Sequence, residues 1–593
     1  MSNLSSKRSN VSVPLTPRDN AARIPTKPIS TSVAIAFSVV ASVLAVGIGL
    51  RITDSTSHSQ GPALAGYYAV CSRHGNIYTV DSANSRVDCL VVNNSQILHT
   101  ANLADTKRTT NLPIRYVPRN AIVLPGLSDS HGHLLEYGAS RQLPLEGTAT
   151  INDTVARVRE YILRTPAVLN NPNAFIRGGG WDHTSWPGSA WPTAADLDAD
   201  PVIRGRPVVL QSKDCHAQWV SARTLELSAP LPSGVEGGVI LTDDAGAPTG
   251  VLLDNAQELL KTPSLTEVDL MQRFSVAVND ALAYGLTSVH DAGLDPTSLD
   301  FFIRQAETGH IPIRIYGMKF FDETQPYWGN TSQPFVGAAN GRLTARSVKI
   351  FADAPRSLHR QPQHHWFHAP PSEVLFEFIP RFLRDGWQVN VHAIGDRANG
   401  IVLDAFEASL AGVNVTALRP RLEHAQLMST ADMVRLGKLG VIASVQPTHA
   451  ISDMWYAQDR LGPERVKGLY AFRSLIDSGA KITLGSDFPV ETMNPLAGFY
   501  AAITRVSLEG TSPHGPGGWF PEQRLTRQEA LRGMTIDPAY ASFTEAELGS
   551  LEPGKRADFV VLSRDIMTIA PARILGTKVL ATVLDGHVAF GAL

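Results

Sequence analysis

The chain has no internal repeat, only three cysteines in 593 residues, and a formal net charge of −3. The first absence excludes a repeat array. The second allows one disulfide at most. Cys71 and Cys89 flank a β-hairpin and could pair in an oxidising lumen, or all three thiols are free and buried; Cys215 is left over either way. The third removes any electrostatic case for nucleic acid or another strongly charged partner. Charged residues are 18% against 43% hydrophobic, an ordinary globular composition with ample core. At this length one large barrel with accessory pieces fits better than several small independent domains.

Charge is wholly missing from residues 28–50, and the centre of that stretch, 33–50, holds nothing more polar than serine. A run of roughly 18–20 apolar residues suffices for a helix to cross the hydrocarbon core. The segment before it is rich in Ser and Pro and carries Lys7, Arg8, Arg18, Arg23 and Lys27 against Asp19, which reads as a disordered tail over 1–32. The positive-inside bias then predicts a transmembrane signal anchor at 33–50. The N-terminus would be cytosolic and the rest of this single-pass membrane protein lumenal or extracellular. A cleaved signal peptide is the alternative, since Ala63-Leu64-Ala65 resembles a cleavage site. Sequons at Asn93, Asn152, Asn330 and Asn414 agree with a secretory-pathway glycoprotein.

A Ser/Thr/Gly-rich linker over 51–67 leads to short alternating runs over 68–122, and the same pattern returns over 553–593. Two β-rich ends enclosing an α/β centre predict a small β-sandwich built from both ends of the chain. Over 123–552 apolar strands alternate with helical stretches, with strands expected at 122–124, 287–290, 313–316, 347–351, 388–392, 421–424, 440–445 and 481–485. Eight such units predict a (β/α)8 TIM-like barrel, whose site lies at the C-terminal strand ends. The gap before the second strand is too long for one helix, which predicts an inserted subdomain over about 145–280.

Polar residues punctuate those strand ends. An apolar run, Ala121-Ile122-Val123, is broken by Pro125-Gly126, and His131 and His133 follow with one residue between them. Side chains at i and i+2 of an extended chain share a face, so the two histidines can grip one ion. Lys349, His392, His424 and Asp487 stand at later strand ends. His392 to His424 is one βα unit and His424 to Asp487 two. Ligands from strands 1, 4, 5, 6 and 8 thus converge on one mouth. Neutral imidazoles and carboxylates are the ligands Zn²⁺ takes most readily.

This ordered set resembles the amidohydrolase superfamily. More closely, it is similar to amidohydrolase family 3, the YtcJ-like branch that includes N-substituted formamide deformylases. Local matches run from about residue 68 to the end. Among them are Gly178-Gly179-Gly180-Trp181-Asp182, Lys213-Asp214-Cys215-His216, Val289-His290-Asp291, Val348-Lys349-Ile350-Phe351, and His392-Ala393-Ile394-Gly395-Asp396-Arg397. Arg421-Leu422-Glu423-His424-Ala425-Gln426, Val445-Gln446-Pro447 and Gly485-Ser486-Asp487-Phe488-Pro489 complete them. The resemblance implies a binuclear zinc site, with other divalent metals also suited. His131, His133 and Asp487 would hold one ion and His392 and His424 the other, bridged by Lys349 carboxylated by carbon dioxide. An unmodified lysine is a cation and cannot ligate a metal. Two departures, Ala354 to Arg360 after the strand-4 aspartate and Cys215 where many relatives have glycine, bear on substrate rather than on ligands.

The implied activity is hydrolysis of a non-peptide C–N bond, amide or N-formyl, in a small-molecule substrate. Metal-activated hydroxide would attack, with Asp487 as general base and then acid. His216 and His290 are candidates for steadying the oxyanion or gripping substrate, with packing as the alternative. Trp181, Trp186 and Trp219 read as core ahead of pocket wall. The cluster His359, His364, His365 and His368 reads as a solvated lid. Competing functions are a lactonase, a cyclic-ureide hydrolase or a deaminase on the same barrel, or a catalytically idle scaffold. Lys349 disfavours the deaminase and Asp487 the scaffold; a homodimer is left open.

Overall fold

The computed structural model describes residues 66–109, 112–235, 237–323, 325–353 and 372–593. The tail, the expected anchor at 33–50, most of the linker and the histidine cluster between 359 and 368 lie outside the described residues. Among those described, no helix is long and apolar enough to cross a membrane.

Eight parallel strands form the centre: β1 Leu127–Gly132, β2 Leu286–Leu294, β3 Arg314–Phe320, β4 Leu343–Phe351, β5 Gln388–Ala393, β6 Arg421–His424, β7 Ile442–Val445 and β8 Ile482–Leu484. They hydrogen-bond in chain order from β1 to β8. A single bridge between Gly132 and Phe488, just past β8, brings the two edges together. Both faces of such strands are covered, which is why they read as nearly unbroken apolar runs. Val289, Val348, Val389, Val391, Leu422 and Leu484 are all buried in one core. Gly132 is required at the closure, because a Cβ there would fall 2.5 Å from the Phe488 ring.

The two ends of the chain pair with each other. Phe559–Leu562 runs antiparallel to Ile122–Pro125, in a six-stranded sheet completed by Val579–Leu584, His587–Gly591, Ile77–Tyr78 and Arg86–Val87. A four-stranded sheet of Tyr67–Cys71, Cys89–Asn93, Gln96–Ala101 and Ile114–Tyr116 lies against it. Tyr68, Val70, Leu90 and Val92 meet Val123, Phe559, Val561 and Val583 in one core. Cys71 and Cys89 face each other on adjacent strands and are disulfide-bonded, while Cys215 is free. One strand is reassigned. The run at 122–124, expected to open the barrel, belongs to this sheet, and the chain enters the barrel only after Pro125-Gly126. Buried on both faces, the run carries no alternation that could tell one sheet from the other.

The insert is a five-stranded sheet, Ile176–Trp181, Val208–Ser212, Ala217–Val220, Pro248–Asp254 and Gly238–Thr242. Trp181, Trp186 and Trp219 fill its own core with Leu197, Ile203 and Leu210. It ends earlier than expected. Helix Glu267–Ala283, opened by a capping box between Thr266 and Asp269, turns Leu270, Phe274, Ala277, Val278 and Ala281 into the barrel core. That helix belongs to the barrel as the element leading into β2.

Beneath the barrel, buried Arg314 of β3 ties it to the sandwich. Its guanidinium lies 2.7 Å from Asp558 and 2.6 Å from Asp585.

Candidate metal centre

Main-chain bonds lock the C-terminal ends of β1 and β8 to each other. Asp487 N donates to His131 O at 2.7 Å, and His133 N to Phe488 O at 2.8 Å. Asp129 reinforces the joint, accepting from Ser486 Oγ at 2.6 Å and from His131 N at 3.1 Å. Burial pushes its carboxyl up to about 7. Two of the expected ligands adopt left-handed backbone, His424 at φ 71 and Asp487 at φ 60. That region is costly for residues other than glycine and collects at functional sites.

The side chains converge on Asp487. His133 Nε2 lies 3.2 Å and His131 Nε2 3.4 Å from its Oδ1. On the other oxygen, His449 Nε2 lies 3.8 Å from Oδ2. Lys349 Nζ stands 3.4 Å from His131 Nε2. The His424 ring is 4.8 Å from that of His131 and 4.4 Å from that of His392. Ligand atoms of His131, His133 and Asp487 all lie within 4.8 Å of one another, and those of His424, His449 and Asp487 do the same.

Hydrogen bonding behind the rings sets which nitrogen is free. Glu423 Oε2 lies 2.6 Å from His131 Nδ1, and Gln446 Oε1 2.9 Å from His424 Nδ1. An acceptor at Nδ1 holds the proton there and leaves Nε2 as a lone pair facing the cup. His392 Nε2 and His449 Nε2 are buried with no hydrogen-bond partner among the described residues. Buried polar nitrogens are nearly always satisfied, and a divalent ion in this cup would satisfy His392 Nε2. The donor set of imidazoles plus one carboxylate fits such an ion.

Electrostatics favour the ligating forms except at His133, where burial would lower the imidazole but Asp487 outweighs it and raises it above the ordinary histidine value. Burial, then the charge of Lys349, holds His131 and His392 well below the ordinary histidine range. Burial and the neighbouring His392 and His131 do the same for His424. Burial also pushes Lys349, 1% exposed, down toward its free amine. Burial would raise Asp487, but His131, His133 and His449 outweigh it and keep the carboxylate well below the usual range.

The expected second tier divides. His216, carried in by the insert, donates from Nδ1 to Asp254 Oδ1 at 3.0 Å, and its charge acts on His392. His290 has partners of its own: its Nδ1 lies 3.0 Å from Arg421 Nη1, and its ring packs 5.1 Å from that of Tyr316. Strand β2 runs on to Leu294, and pairing of Val289 with Asp129 and of Asp291 with Gly132 sets His290 level with the end of β1. His449 is the residue missed. It sits on helix Pro447–Asp453, immediately after Val445-Gln446-Pro447 at the end of β7.

A parallel barrel whose strand ends gather histidines around one aspartate and a buried lysine defines a metal-dependent hydrolase. The chain belongs to the amidohydrolase family, whose model matches residues 119–590. It is 30% identical to the protein LONG AFTER FAR-RED 3 of Arabidopsis thaliana, over 86% of this chain and 90% of that protein. To the N-substituted formamide deformylase of Arthrobacter pascens it is 28% identical, over 86% of this chain and 96% of that enzyme. Its fold is similar to an uncharacterized metal-dependent hydrolase from Pyrococcus horikoshii, with a TM-score of 0.68 at 25% identity over 85% of this chain and 99% of that one.

Proposed function

We propose that this protein hydrolyses a non-peptide C–N bond, amide or N-formyl, in a small molecule, using two divalent ions, zinc foremost. The observation that carries the reading is Asp487, set between His131 and His133 on one oxygen and His449 on the other, with the Lys349 amine 3.4 Å from His131. His131, His133 and Asp487 would hold one ion and His392 and His424 the other. Lys349 would bridge them once its amine, pushed toward the neutral form that adds to carbon dioxide, is carboxylated. Bound ions supply Lewis-acid charge at the substrate carbonyl and bring the pKa of water toward neutrality.

The side chains perform the rest. Asp487, kept ionised, takes the proton of the attacking water and passes it to the leaving nitrogen, a role typically worth ~10²–10⁴ in rate. His216, steadied by Asp254, and His449, on the Oδ2 side of Asp487, are placed to stabilise negative charge on the former carbonyl oxygen. The N-formyl preference draws on the formamide deformylase relative, aligned over nearly its full length. The apolar stretch at 33–50 would anchor the enzyme with its barrel on the lumenal or extracellular side. The exposure of all four sequon asparagines, Asn93, Asn152, Asn330 and Asn414, is compatible with glycosylation there.

Metal analysis together with a panel of N-formyl and N-acyl amines tests the reading. About two ions per chain with amide turnover is the expected result. One ion moves weight to deaminase-like or lactonase chemistry. None, even after loading in bicarbonate, overturns it.

A further inference from the structure

A second cleft, of about 380 Å³, opens between the insert and the barrel. Its lining includes Cys215 and Pro489, the latter two residues past Asp487. Its walls include strand Ile176–Trp181, which carries Arg177, and helix Glu267–Ala283, which carries Arg273.

The cations lining this cleft are not equally answered. Arg141 lies 3.4 Å from Asp280, and Lys213 lies 3.5 Å from Glu146 and 3.9 Å from Glu491. Arg177 donates to Pro263 O at 2.9 Å, a neutral partner. Among the described residues neither Arg177 nor Arg273 has a carboxylate within the 4.0 Å of an ion pair, and the buried Nε of Arg273 has no hydrogen-bond partner. The two guanidiniums line the same cleft, and Arg273 feels the Arg177 charge. Burial, then the Arg177 charge, presses Arg273 down. Glu136, which lines the cleft together with Glu146, and Asp269 partly offset this without pairing with either arginine, and the Asp269 carboxylate caps Thr266.

Two half-buried like charges repel, and an anion shared between them relieves the repulsion while using the unpaired donors. Guanidinium forks match carboxylate and phosphate oxygens in a bidentate manner. Gln211 also lines the cleft, bonded to Gln257 at 3.0 Å and Gln218 at 2.9 Å, a polar but uncharged surface.

We propose that Arg177 and Arg273 form an oxyanion site, and that the substrate of the metal centre carries an acidic group which this site receives while the amide bond lies in the cup. The second half rests on the hydrolase reading above; the first does not.

The test uses the metal-loaded full chain. Binding of glutarate and of inorganic phosphate is measured by calorimetry in the wild type, R273Q and R177Q at equal metal content, so that anion binding at the metals is common to all three. Binding weakened roughly tenfold or more in both variants is the expected result, and the anion that loses more identifies the site as one for carboxylate or for phosphate. R273K, which keeps the charge, should recover part of the loss, and matched melting temperatures separate lost binding from lost folding. In parallel, kcat/KM is compared for N-formyl-6-aminohexanoate and N-formylhexylamine. The acid should be favoured in the wild type, through KM, and that preference should collapse in R273Q. Equal anion binding in wild type and both variants overturns the site. Equal use of acid and neutral substrates overturns its role in substrate selection. Arginine-dependent anion binding without any amide turnover leaves the site standing and removes the hydrolase reading.

Discussion

Glu423 Oε2 stands 2.6 Å from His131 Nδ1, and both side chains are buried in the barrel. Arg421, on the same face of β6, holds the carboxylate in turn. Its Nε lies 2.7 Å from Glu423 Oε1, and its Nη2 donates to Ser130 O at 2.7 Å and Ser444 Oγ at 2.9 Å. A guanidinium thus fixes a carboxylate, which fixes the ring of an expected ligand from behind.

Glu423→Gln keeps the shape but removes the charge. Metal affinity should fall ~10–100-fold, the usual effect of losing an outer partner of a ligating histidine. The uncompensated Arg421 should also destabilise the fold by about 3–5 kcal/mol. Competition with a chelator and a calorimetric scan read the two effects separately, and an unchanged metal affinity would count against the role.

His449→Ala should leave metal content intact while lowering kcat by ~10²–10³, the cost of removing one stabilising donor from an oxyanion site. Lost metal with little change in residual kcat per bound ion would instead make His449 a ligand.

Gly132→Ala places a Cβ 2.5 Å from the Phe488 ring at the one bridge closing the barrel. Overpacking of this kind costs about 1–3 kcal/mol. Because His131 and His133 flank the position, metal content should fall together with the melting temperature.

Acid should weaken the joint between barrel and sandwich. Burial would raise Asp585, but the Arg314 charge outweighs it and holds the carboxyl below its ordinary value. A depressed carboxylate contributes stability that is complete above its unfolded pKa of about 3.9 and is lost as pH falls through the folded value. Melting temperature should therefore drop below about pH 4, and drop less steeply in Asp585→Asn. A slope identical in the variant would show that the acid lability arises elsewhere.

Much of the cup was legible because its residues sit where apolar strands stop. His131, His133, Lys349, His392, His424 and Asp487 each follow such a run, and strand spacing alone brought them to one end of the barrel. The errors have physical causes. His449 lies on a helix after β7, outside any search restricted to strand ends. The strand at 122–125 is buried on both faces, so its composition is the same for a sandwich as for a barrel. That Arg177 and Arg273 line one cleft is a product of how the insert folds back, which no local pattern encodes.

The pairing of Phe559–Leu562 with Ile122–Pro125 has a consequence for biosynthesis. These strands lie more than four hundred residues apart, so the sandwich core stays open until nearly the whole chain has left the ribosome. Throughout that interval Ile122, Val123 and Leu124 present an unpaired apolar edge, a template for aggregation. The barrel can begin to assemble during synthesis, whereas its first strand is anchored last. A nascent chain truncated before Phe559 should therefore need chaperone protection that the finished protein does not.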